Sequence, residues 1–107
     1  MADDAILVLT QMPDHAAAHA LARVLLERRL AACVSIGAPV QSLYHWRGKI
    51  ETGTEIPVAI KTRRKRYAEI ESAVLAVHPY ELPEIVAVPF VHGLPRYLDW
   101  IDAETAE

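Results

Sequence analysis

One cysteine, four glycines and one phenylalanine are the scarce residues in a chain of 107. The lone thiol, Cys33, excludes an internal disulfide framework and a four-thiolate zinc site. No phosphate loop, nucleophile elbow or metalloprotease helix motif occurs, and nothing sets apart the pKa values of the one carboxylate pair considered, Glu81 and Glu84. The chain is therefore read as a non-enzyme. Positive charge is not in excess either: 11 Lys and Arg against 14 Asp and Glu leave a net charge of −3, so no global field draws the protein to nucleic acid or anionic lipid. The longest stretch without a formal charge, Leu30 to Trp46, is interrupted by Ser35, Gly37, Pro39, Gln41 and Ser42 and alternates as a strand does, so no membrane span is read. The start, MADDAILVLT, places two aspartates where a secretory signal needs basic residues, and the expected location is the cytoplasm.

What is abundant is apolar: 52% of residues, with a mean hydropathy of +0.13. The length predicts one domain, residues 1–107. AILVLT reads as a buried strand, and PDHAAAHALARVLLERR as a helix begun by Pro13 and Asp14 with Ala17, Leu21, Val24 and Leu25 on one face. LAACVSIGAPVQSLYHW is a second strand broken or bent at Gly37 to Pro39; RGK is a tight turn; IETGTEIPVAIKT returns as a third strand with irregularities at Gly53 and Pro57. A second helix follows, with Tyr67, Ile70, Val74 and Val77 on one stripe, then a fourth strand, EIVAVPF. Gly93 and Pro95 open a last helix that docks through Tyr97, Leu98, Trp100 and Ile101. This order predicts an α+β fold, a ferredoxin-like βαββαβ sandwich with a long extended hairpin of the second and third strands and a C-terminal helix. Strands of about fifteen residues reach roughly 45–50 Å, whereas the first helix spans about 25 Å. The hairpin must overhang, carrying Leu43, Tyr44, Trp46 and Ile50, and a homo-oligomer that covers it is expected.

Site candidates gather around VHPYELPE, residues 77–84. Pro79 biases His78 away from helical geometry, so His78 either contacts a metal or ligand at a subunit cleft or ends the helix bonded to a carbonyl. Tyr80, Glu81 and Glu84 either supply oxygen ligands or tie down the loop. Cys33 is a soft metal ligand or an ordinary buried cysteine. His15 and His19, four apart on a helix, make a two-point grip on Cu²⁺, Ni²⁺ or Zn²⁺ that lacks a placed third ligand. Tyr44, His45 and Trp46 beside Lys49 form either a nucleotide-type patch or interface packing. RRKR, 63–66, reads as a solvated turn, and Lys61 as a candidate anion contact.

LAACVSI, SLYHWRGKIE, IKT, VHPYELPEIVAVP and YLDWI, in this order and spacing from about Ile6 to Ile101, resemble the CutA family of divalent-cation tolerance proteins. The resemblance implies a ferredoxin-like protomer, a homotrimer whose long hairpins pair across subunits, and association with copper and other divalent ions in metal tolerance. It also implies a trimer similar in shape to the PII signalling proteins, so that the alternative function is a PII-like sensor holding a small anionic ligand in the intersubunit cleft near Lys61 and His78. The copper site that the resemblance implies uses a first-strand cysteine and two consecutive histidines; this chain has Thr10 and Val77 at two of those positions. His78, and Cys33 from the AAC motif, are the metal ligands expected to remain.

Overall fold

A computed structural model describes residues 4–106. Most of the acidic start that argues against a secretory signal lies outside the described residues. Along the chain come β1 (Ala5–Met12), α1 (His15–Glu27), β2 (Cys33–Ile36), β3 (Val40–Trp46), β4 (Lys49–Arg63), α2 (Tyr67–Val77), β5 (Ile85–Pro89) and α3 (Pro95–Glu104). The sheet runs β2-β4-β1-β5 with antiparallel neighbours, and β3 pairs with β4 beyond it. With β2 and β3 taken as one interrupted strand, this is the expected ferredoxin-like arrangement.

The period of two in β1 sorts its side chains: Ile6, Val8, Thr10 and Met12 are buried, and Leu7, Leu9 and Gln11 are half-buried on the opposite face. The buried set joins Ile56, Val58 and Ile60 of β4 and packs under Leu21 and Leu25 of α1 and Ile70 and Val74 of α2. Asp14 caps α1 by accepting the Ala17 N–H at 2.8 Å. At the other end Arg29 takes the left-handed conformation, the Arg29 and Leu30 N–H groups bond back to the Leu26 and Leu25 carbonyls, and Leu30 is driven into the core. The two helix stripes differ slightly from expectation. Ala18 and Ala22 bring α1 close to the sheet, which leaves Val24 37% exposed on its flank; Val77, at the last turn of α2, is 54% exposed.

The predicted second strand divides in two. Ile36 pairs with Val58 and Val40 with Glu55, so three residues oppose two, and the extra residue makes a bulge at Gly37 to Pro39. A Cβ on Gly37 would stand 2.8 Å from Pro57 Cγ, which fixes glycine there. The irregularity expected at Gly53 and Pro57 is thus taken up by the partner strand, and β4 runs unbroken for 15 residues. Its residues 56–63 pair with β1, and 58–61 of these with β2 on the other side, whereas among the described residues 49–55 pair only with β3. Those seven residues project as a ribbon about 23 Å long. The tip, with positive φ at Arg47 and Gly48, has the turn twist that hairpins favour.

Thr10 faces the core with its hydroxyl unpartnered among the described residues, whereas the equally buried Thr62 hydroxyl donates to the Leu30 carbonyl at 2.6 Å. Thr10→Val is therefore expected to raise stability by about 1 kcal/mol and Thr62→Val to lower it by about the same. Urea midpoints of the two variants check the opposite signs.

Candidate functional site

The sheet face that α1 and α2 do not cover carries Leu7, Leu9, Ala59, Val86 and Val88 in register, with Cys33 and Lys61 as a cross-strand pair beside Leu7. α3 covers one end of it, where Leu98 and Ile101 bury against Ala5. Tyr97 and Trp100, expected to dock with them, are instead exposed and stack on each other at 5.5 Å, because they lie on the flank of α3. The Lys61 ammonium stands 5.7 Å from the Tyr97 ring centroid. Cys33 is half-buried rather than buried, its sulfur 4.0 Å from the Ser35 hydroxyl.

At the opposite end of β1, His78 closes α2 with extended backbone, as Pro79 requires. Its Nε2 lies 2.6 Å from the Gln11 carbonyl, and its Nδ1 accepts the Tyr80 N–H at 3.3 Å. The proton therefore sits on Nε2, and the ring ties the end of α2 to the end of β1. Its edge also meets the Tyr80 ring, centroids 4.6 Å apart. Both nitrogens are engaged by backbone, so a metal at His78 has to displace one of these bonds.

Between the projecting ribbon and residues 80–86 lies an open cleft of about 930 Å³. Tyr44, Trp46 and Glu55 line it from the ribbon, Tyr80 and Glu84 from the other wall. Arg47 at the ribbon tip reaches Glu81 at 2.8 Å, an exposed pair that adds little stability. Burial, with the charges of Glu55, Tyr44 and Asp14, pushes the Tyr80 phenol above its ordinary value. Carboxylates and phenols make this cleft a place for cations and hydrogen-bond donors. Trp46 takes the Arg47 guanidinium over its ring at 5.3 Å, and His45 points to solvent, so the predicted aromatic patch is divided between two faces.

His78 and Cys33 are not brought together. One adjoins Gln11 and the other the row of Leu7, four residues and about 13 Å apart along β1. Among the described residues no three His, Cys, Asp or Glu converge on a point that would hold a metal ion. A single chain thus does not assemble a copper centre from these donors. His15 and His19 are both exposed on α1.

The solvated-turn reading of RRKR holds for Arg64 and Lys65 but not for its ends. Arg63 donates to the Thr105 hydroxyl, the Thr105 carbonyl and Asp102, and the buried Arg66 donates to the same carbonyl and to Glu69. This clamp on α3 escapes a reading by local pattern, because its partners lie 39 and 42 residues away. The period-two alternation of β4 offered the one signal, since it turns Arg63 toward the face that α3 covers.

Residues 6–104 match the sequence profile of the family described as CutA1 divalent ion tolerance protein. The divalent-cation tolerance protein CutA of Archaeoglobus fulgidus is 46% identical over 95 residues, which cover 89% of this chain and 91% of that protein. A CutA homolog of Xenopus laevis is 42% identical over 89 residues, 83% of this chain but 59% of its own length. The crystal structure of CutA from Xylella fastidiosa superposes with a TM-score of 0.92 at 43% identity, covering 96% of this chain and 99% of that one.

Proposed function

The chain belongs to the CutA1 divalent ion tolerance protein family, and from that premise we propose that it is a homotrimer that binds divalent metal ions, copper among them, in metal tolerance. The observation that carries the assembly is the projecting ribbon. Leu43 and Ile50 are 67% and 71% exposed on it, and β3 pairs with nothing but β4 among the described residues. β5 leaves the other sheet edge open. Pairing of a β3 edge with the β5 edge of another copy joins two different surfaces, a head-to-tail contact that closes as a ring. The apolar row Leu7, Leu9, Val86 and Val88 would be covered in the same step.

His78 and Cys33 serve in this proposal as separate donors, each needing ligands from a neighbouring copy, because one chain keeps them apart. A soft thiolate and an imidazole suit copper. We read the protein as a non-enzyme, on the absence of any catalytic template in its sequence. The PII-like reading, with a small anion near Lys61 and His78, finds less support: within one chain the two residues lie toward opposite ends of β1, and the Lys61 ammonium already stands over Tyr97.

Light scattering on protein without a tag is expected to give three times the 11.9 kDa chain mass. His78→Ala should stay trimeric, cost about 1 kcal/mol through the unpaired Gln11 carbonyl, and lose a modest share of copper affinity by calorimetric titration. A stable monomer at micromolar concentration would sink the assembly. Saturable binding of nucleotides or small anions with no binding of copper would replace the metal reading by the sensor.

A further inference from the structure

We propose that His15 and His19 form a second, surface site for a divalent transition cation, with Cu²⁺ bound tightest. Of the five histidines, these alone lie one helical turn apart, and α1 spans both from a capped start at Asp14. Side chains four apart on a helix have Cβ atoms about 5–6 Å from each other, so two imidazoles converge on an ion at about 2 Å from each nitrogen. The three intervening residues are alanine, so no side chain longer than a methyl group stands between the two histidines along the chain. Neither imidazole has a hydrogen-bond or ion-pair partner among the described residues, in contrast to His78. The next residue on this stripe, Arg23, is drawn down the helix by Glu27 at 3.2 Å, which holds its cation away from His19. Two imidazoles with water in the remaining positions favour Cu²⁺ over Ni²⁺ and Zn²⁺ by the usual order of divalent affinities. The site lies within one chain and does not depend on the trimer, on Cys33 or on His78.

The test uses untagged protein carrying His78→Ala and Cys33→Ala, titrated with Cu²⁺ and followed by electron paramagnetic resonance. One equivalent is expected to give a signal split by two imidazole nitrogens. His15→Ala or His19→Ala should each remove that splitting and weaken binding at least about tenfold, through loss of the chelate. Adding Arg23→His to the His15→Ala protein recreates the spacing one turn along, on a side chain 74% exposed, and should restore both splitting and affinity. The site is refuted if either single variant binds Cu²⁺ as its parent does, if the parent lacking Cys33 and His78 binds none, or if the Arg23→His chain, helical by circular dichroism, fails to regain the two-nitrogen signal.

Discussion

Leu43→Asp combined with Ile50→Asp is expected to turn the proposed trimer into folded monomers. Thr52 stands opposite Leu43, and His45 opposite Ile50, so the two apolar residues share one face of the ribbon. That face is opposite the one carrying Tyr44 and Trp46, and both side chains are mostly exposed in their own chain. In the proposed trimer, burial of each side chain against another copy contributes about 1.5–3 kcal/mol, and a carboxylate placed there must be stripped of water without a partner. A closed ring repeats the loss in every subunit. The isolated chain pays nothing comparable, since both positions are already in solvent. Light scattering should therefore give one chain mass where the parent gives three, with far-UV circular dichroism unchanged. Trp46→Ala is the milder version: it removes a half-buried ring and its Arg47 contact, and assembly should weaken before the fold does. If the double aspartate variant kept its mass, the outward face of the ribbon would lie outside any interface.

Element order and the overhang were legible in the sequence because each rests on a local signal. The apolar run AILVLT, the Pro13–Asp14 start, the RGK turn and the Pro79 stop each act within a few residues, and strand length against helix length is simple geometry. Departures from that reading arise where two distant segments meet. Gly37 and Pro39 mark a break, but whether it belongs to one strand or to its partner depends on Pro57, which only the register places opposite. Val24 and Val77 fit a helical stripe by period, yet the close approach permitted by Ala18 and Ala22 rotates the buried face away from one, and the helix end leaves the other uncovered. For the site, local reading located His78 at the helix stop and left two roles open. The Gln11 carbonyl, 67 residues away, supplies the structural role. A cleft walled by Glu55 and Glu84 could not be anticipated, since nothing in sequence couples the ribbon to the loop after α2.

Arg66→Ala is expected to cost about 3 kcal/mol and to loosen α3 selectively, because it opens a buried, hydrogen-bonded cationic clamp. Only 8% of the Arg66 side chain is accessible; its Nε donates to the Thr105 carbonyl at 2.9 Å and its Nη1 to Glu69 at 2.9 Å. Thr105 is the residue that ends α3, where carbonyls lack helical partners and the helix dipole favours a cation. Arg63 shares that carbonyl through Nη2 and adds bonds to Asp102 and the Thr105 hydroxyl. Since both guanidinium groups serve one acceptor, which loses its last side-chain donor only when both are removed, the Arg63→Ala, Arg66→Ala pair should exceed the summed single effects. Arg66→Lys keeps the charge but cannot place two donors in a rigid fork, and an intermediate loss is expected. Urea unfolding gives the global cost, and amide exchange locates it: residues 98–104 should exchange faster in Arg66→Ala while β1 and β4 lose protection only in step with global stability. Unchanged exchange in α3 together with an unchanged midpoint would mean that Leu98 and Ile101 hold the helix alone and that the arginines are dispensable.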